Sequence, residues 1–128
     1  MDVYPTIRYR DARTGIDWLV EALGFEEHMV VPGKKEGSIA HAELRLGRGM
    51  IMVGDEGEAD SISKPAGVAS TYLRVDDPDG AYTRALEHGA EVLRELCDTP
   101  YGSREFSVGD PEGNVWSFGN YDPFNPPS

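Results

Sequence analysis

The chain has a single cysteine, Cys97, among 128 residues. That excludes an internal disulfide and fits a reducing compartment. No stretch approaches the ~20 consecutive apolar residues that a membrane helix needs. Basic residues are scarce, with 12 Lys and Arg against 23 Asp and Glu and a net charge of −11. A nucleic-acid partner would need a basic footprint, so that class is not expected. The acidity is weakly compatible with a cationic ligand, and the plainer reading is a solvated surface that keeps the chain soluble. Histidine is rare too, at three residues, so few imidazoles are on hand for metals or proton transfer. The opening Met1-Asp2-Val3-Tyr4-Pro5 has no basic stretch followed by an apolar core. No signal peptide is therefore expected, and the cytoplasm is the expected location.

What is present is patterned. Tyr4 to Arg10 alternates as a strand does, with Ile7 and Tyr9 on one side and Tyr4, Thr6 and Arg8 on the other. Asp11 suits an N-cap, Ile16, Leu19, Val20 and Leu23 form one helical stripe, and Gly24 suits the residue that ends it. Strands follow at Phe25 to Val31, Ser38 to Leu46 and Met50 to Val53. In the second of these, Ala40, Ala42, Leu44 and Leu46 share one face and Ile39, His41, Glu43 and Arg45 the other. Residues 55–68 lose periodicity and read as a linker or a loop that covers a site.

The pattern then recurs. Ser70 to Val75 is a strand, Asp77-Pro78 opens a helix, and Tyr82, Ala85 and Leu86 form its buried stripe. Gly89 ends it. Strands follow at Glu91 to Cys97, at Arg104 to Val108 and after Asn114. Arg8 and Arg74, Asp11 and Asp77, and Leu19 and Ala85 all stand 66 apart, while Gly24 and Gly89 stand 65 apart. One slip of a single residue across half a chain is what a duplicated unit with one indel gives. The expected organisation is α+β, with two strand-helix-strand-strand-strand modules: 1–54, linker 55–68, 69–121, and a loosely attached tail 122–128. Each helix should cover the outer face of its four-stranded sheet, with the opposite faces curving into one concave cleft.

The last strand is entered through Asp110-Pro111-Glu112-Gly113-Asn114, a tight turn in which Gly113 supplies positive φ. After it, Trp116 and Phe118 share one face and Val115, Ser117 and Gly119 the other, which makes Trp116 and Phe118 core residues under the second helix. This turn resembles the end of a module in the vicinal-oxygen-chelate superfamily, which holds glyoxalase I, extradiol dioxygenases and bleomycin-resistance proteins. Tyr101-Gly102-Ser103-Arg104, Leu73-Arg74-Val75-Asp76-Asp77 and His41-Ala42-Glu43-Leu44 extend the resemblance over Tyr4 to Tyr121, closest to the bleomycin-resistance and PhnB-like branch.

The resemblance implies two βαβββ modules. In that superfamily's metalloenzymes it also implies two His or Gln and two Glu residues around a divalent ion. Carried over, those four positions fall at Tyr4, Met52, Ser70 and Ser117, none an ordinary ligand for such ions. A metal-free protein is therefore expected, without a cofactor, binding a small organic molecule, a drug or cationic metabolite, in its cleft. The residues expected to line the site are Arg8, His41, Glu43, Met50, Met52, Tyr72, Arg74 and Ser117. Against this, Arg8 and Arg74 could simply pair with Glu43 or another acid. The alternative is a glyoxalase-type lyase, isomerase or dioxygenase using a displaced divalent-metal site at His41 and Glu43. These lie about 7 Å apart on one strand face and could serve as ligands or as a base and its partner. The bland reading of that pair is a hydrogen-bonded contact. The resemblance further implies a homodimer, while the charge and the want of a long apolar run leave no nucleic-acid or membrane partner expected.

Overall fold

The computed structural model describes residues 2–58 and 66–125. The chain forms two compact units, Met1–Val68 and Ala69–Ser128. The first holds β1 (Thr6–Tyr9), α1 (Ala12–Leu23), β2 (Glu26–Pro32), β3 (Ile39–Leu46), β4 (Gly49–Asp55) and a short 3-10 turn, Glu56–Glu58. The second holds β5 (Ser70–Arg74), α2 (Pro78–Glu87), β6 (Glu91–Asp98), β7 (Arg104–Gly109) and β8 (Val115–Gly119). The strand orders are β1-β4-β3-β2 and β5-β8-β7-β6. In each unit the first and last strands run parallel and the other pairs antiparallel. Each unit is thus one βαβββ module carrying a four-stranded mixed sheet. No helix among the described residues is long and apolar enough to cross a membrane.

The local signals act as their chemistry requires. The Asp11 carboxylate accepts from Thr14 N at 3.2 Å and from Thr14 Oγ1 at 2.8 Å, which caps α1 and holds the Asp11 pKa below the usual carboxylate range. Gly24, at φ 85°, closes the helix, and Phe25 N reaches back to Leu19 O at 3.2 Å. Ile16, Leu19, Ala22 and Leu23 are buried, and so are Ile7, Tyr9, Ala42, Leu44, Ile51 and Val53 of the sheet. These two apolar sets make the first core.

In the second unit Asp77 caps α2 through Gly80 N at 3.1 Å, with Pro78 at the first helical position. Tyr82 packs on Phe106 with ring centroids 5.1 Å apart, and Phe106 stacks on Phe118 at 4.9 Å. Trp116 and Phe118 are buried, as their alternation requires. Leu86 departs from the expected stripe and is 46% exposed. At 100° per residue it lies to one side of Ala85, and in a ten-residue helix the sheet is already covered by Pro78, Tyr82 and Ala85.

The turn before β8 is built on one buried carboxylate. Asp110 Oδ1 accepts from Glu112 N and Asn114 N, both at 2.9 Å. Its Oδ2 accepts from Asn114 Nδ2 at 3.0 Å and Trp116 Nε1 at 3.2 Å. Asn114 Oδ1 in turn accepts from Ala69 N at 2.9 Å, and Val115 N donates to Ala69 O at 2.8 Å. The turn therefore fixes where β5 begins beside β8.

Candidate functional site

The face of the second sheet turned away from α2 carries the odd-numbered residues of β7 and β8 and the even-numbered residues of β5. There Tyr72 pairs with Ser117, Ser107 with Ser117, and Glu105 with Gly119. A cavity of about 660 Å³ stands on this face, lined by Tyr72, Arg94, Tyr101, Glu105, Ser117, Tyr121 and Pro123. That size suits a small organic ligand.

Glu105 is among the residues that line it and is 3% exposed. Tyr101 Oη donates to its Oε1 at 2.5 Å, Arg94 Nη2 to the same oxygen at 2.9 Å, and Tyr72 Oη to Oε2 at 3.1 Å. Burial alone would raise the carboxyl's pKa, but hydrogen bonds from Tyr101, Ser103, Arg94 and Tyr72 outweigh it and hold it below the usual range. The converse holds for its donors. Burial pushes the Tyr72 phenol up, and the hydrogen bond to Glu105 pushes Tyr101 up, so both remain protonated donors. The Arg94 guanidinium is raised by the same carboxylate.

Backbone geometry makes room for this cluster. A Cβ on Gly119 would overlap Tyr72 Oη and Glu105 Cγ. Tyr72 Oη also accepts from Tyr121 N at 3.0 Å, which ties the segment after β8 to the cavity wall. Tyr121 meets Tyr101 edge-on with centroids 5.7 Å apart. Beside them Ser107 Oγ and Ser117 Oγ share a hydrogen bond of 2.7 Å. The arrangement offers aromatic walls, hydroxyl groups and an already neutralised ion pair at its floor.

The first unit is chemically different on the equivalent face. Met52 pairs with Thr6 and with Glu43, and Met50 with Arg45. His41 Nε2 stands 3.0 Å from Glu43 Oε2, and His28 Nε2 stands 4.0 Å from Glu43 Oε1. Arg8 lies opposite Gly54 and donates from Nη1 to Ala40 O at 3.3 Å. A second cavity in this unit, about 370 Å³, includes Asp55 and Glu58. Asp55 accepts from Ala12 N at 2.8 Å and Ile39 N at 2.6 Å, and Glu58 from Lys34 N at 2.8 Å and Ser38 Oγ at 2.9 Å. These carboxylates are spent on holding backbone.

Of the eight residues expected to bind ligand, Tyr72 and Ser117 line the larger cavity. Arg74 turns to Asp76 at 3.0 Å. Arg8, His41, Glu43, Met50 and Met52 belong to the first unit, where His41 and Glu43 do meet. Glu105, Arg94 and Tyr101 escape the sequence reading. The repeat holds a signal for Glu105: Glu43 pairs with Met52 as Ser107 pairs with Ser117. Two residues earlier on the matching strands, His41 and Glu105 therefore occupy one place.

The four positions that the resemblance assigns to metal ligands do not fit an ion here. Met52 offers a thioether, Tyr4 and Ser70 exposed hydroxyls, and the Ser117 hydroxyl is engaged by Ser107. Among the described residues no three of His, Cys, Asp and Glu are grouped so as to hold a metal.

The family model described as Glyoxalase/Bleomycin resistance protein/Dioxygenase superfamily matches residues 3–118. Uncharacterized protein Mb0911c of Mycobacterium bovis is 34% identical over 122 residues, covering 90% of this chain and 80% of that protein. TioX from Micromonospora sp. ML1 superposes with a TM-score of 0.79 at 30% identity, covering 93% of this chain and 94% of TioX. TnmS3, an antibiotic binding protein from Streptomyces sp. CB03234, superposes with a TM-score of 0.71 at 23% identity, covering 92% and 94%. At that identity TnmS3 shares the fold.

Proposed function

The chain belongs to the Glyoxalase/Bleomycin resistance protein/Dioxygenase superfamily, and from that membership and the second unit's cavity we propose that it binds a small organic molecule without a metal. A drug-like compound or a cationic metabolite is the ligand class. The observation that carries this reading is the buried Glu105 carboxylate, satisfied by Tyr72, Tyr101 and Arg94 at the floor of a cavity of about 660 Å³. A fully paired carboxylate is a poor nucleophile or base. It is a good rigid support for the tyrosine rings that a flat organic ligand would meet. Arg94 offsets the charge of Glu105, so attraction for a cation comes from the chain's net charge of −11 rather than from the pocket floor. The antibiotic binding of TnmS3 is consistent with this use of the fold. Family resemblance also supports a homodimer, and the single cysteine suits the cytoplasm; sedimentation that gives a monomer at micromolar concentration would contradict the dimer.

The test is a thermal-shift screen of cationic and neutral aromatic compounds, followed by calorimetry. A binder at one per chain is expected, unaffected by EDTA and weakened about tenfold or more by Tyr101→Ala, since one buried aromatic contact is worth about 1.4 kcal/mol. Binding that needs a divalent ion, or that ignores both Tyr101→Ala and Ser117→Phe, would overturn the reading.

One observation favours a second reading. His41 and Glu43 form an imidazole–carboxylate pair with His28 at its far side, which is the geometry of an oriented general base. In a lyase, isomerase or dioxygenase of the glyoxalase kind, these groups would serve as the displaced site, with a divalent metal completed by the substrate. Turnover abolished by His41→Ala in a folded protein would establish it; unchanged turnover would remove it.

A further inference from the structure

We propose that the first unit carries a seat for a ligand carboxylate, built by Arg8 over Gly54. The proposal goes beyond the small-molecule reading: the acidic ligand is a further one, held by the first unit by itself. Arg8 stands directly opposite Gly54 in the parallel β1–β4 pair. A Cβ on Gly54 would collide with Arg8 Nη1, so glycine is what lets the guanidinium lie there. Having made that room, the fold satisfies the group poorly. Among the described residues Nη1 has one long bond, 3.3 Å, to Ala40 O, and the buried Nε has no partner.

Five other arginines are placed differently. Arg13, Arg45, Arg74, Arg94 and Arg104 each meet a carboxylate. With 23 acids to 12 bases, a partner for Arg8 would have been easy to supply. The other unit shows the filled version of the niche. There Gly119 accommodates Tyr72 and the Glu105 carboxylate, and Arg94 completes the ion pair. In the first unit the place of Glu105 is taken by His41, whose imidazole is turned to Glu43. A guanidinium seated without an acid is matched by a carboxylate brought from outside, whose two oxygens can take the free N–H groups after a small side-chain rotation. The net negative charge gives such a ligand no long-range help, so recognition must be local.

The test follows the Arg8 Nε–H resonance by NMR, assigned with R8K, while benzoate, benzamide or inorganic phosphate is added. A saturable shift with benzoate is expected, with benzamide at least about tenfold weaker. Phosphate moving the resonance where benzoate does not would overturn the carboxylate assignment. No movement with either anion would overturn the seat. A second readout is thermal: benzoate should raise the Tm of the wild type and leave R8M unmoved, while R8M alone keeps or gains stability. A lower Tm for R8M together with no benzoate effect on the wild type would make Arg8 structural. If the Tyr101-dependent binding persists in that case, the seat fails alone; if that binding is absent too, the small-molecule reading fails with it.

Discussion

At the scale of single residues, the second unit turns on Glu105. Its neighbours supply hydrogen bonds from two phenols and a guanidinium. Net of the water they replace, such bonds to a charged group contribute about 1.5–3 kcal/mol. Arg94 remains 47% exposed, which screens its share and keeps the pair toward the lower end. The sign with pH follows from the lowered pKa. The native state binds this proton less readily than the unfolded chain, so the contribution is complete above the ordinary value of 4.5 and is lost as pH falls below it. Glu105→Gln keeps the shape and removes the charge. The variant should be less stable than wild type by about 1–3 kcal/mol at neutral pH, and the gap should narrow as pH is lowered from about 6 to about 3. Urea unfolding at several pH values checks this. A gap that stays constant would show that Glu105 titrates alike in the folded and unfolded chain, so that its partners do not favour the carboxylate form.

At the scale of elements, the loop from Gly109 to Val115 matters more than its length suggests, because Asp110 closes it and Asn114 carries the closure to β5. Asp110→Ala would leave Glu112 N, Asn114 N, Asn114 Nδ2 and Trp116 Nε1 without their acceptor. Unsatisfied buried donors cost about 1–3 kcal/mol each. Even with water reaching some of them, a loss of at least about 3 kcal/mol is expected, read as a lower midpoint in urea. Asp110→Asn should recover little, because its amide would face the Trp116 and Asn114 donors with another donor. A loss below about 1 kcal/mol would show that the turn does not organise the strand pair. This element was legible in the sequence, since Asp-Pro, Gly113 and the alternation after Asn114 are local signals. So were the caps at Asp11 and Asp77 and the stop at Gly24. Leu86 was not, because its exposure depends on how little sheet remains beneath a short helix, which is settled by tertiary packing. Glu105 is hidden for a similar reason. An acid on a strand reads as solvated until Tyr72, Tyr101 and Arg94 are brought round it from three separate segments.

At the scale of the whole molecule, the two modules share their topology and their glycine niches and differ in what fills them. The 65- and 66-residue offsets reveal the duplication directly, because caps and stripes recur with it. The divergence of chemistry is less legible. β6 carries register shifts between Val92 and Arg94 and between Arg94 and Cys97, so the placing of Arg94 cannot be counted along the strand. Duplication with divergence also bears on metal. Met52 and Ser117 are matched positions in the two pairing ladders, yet one is a thioether and the other a hydroxyl already bonded to Ser107 at 2.7 Å. Of the three histidines, His28 and His41 flank Glu43, and His88 Nδ1 is bonded to Arg84 O at 2.9 Å. A hard or borderline divalent ion needs several carboxylate or imidazole donors converging within about 2.0–2.6 Å, and the pair at Glu43 would have to draw its remaining donors from elsewhere. Protein purified without a chelator or a metal-affinity tag should therefore carry less than about a tenth of an equivalent of metal. Its Tm should not move when Zn²⁺, Ni²⁺, Mn²⁺ or Fe²⁺ is added, since an ion that bound the native state would raise it. About one metal per chain, lost on His41→Ala, would instead transfer the function to the first unit.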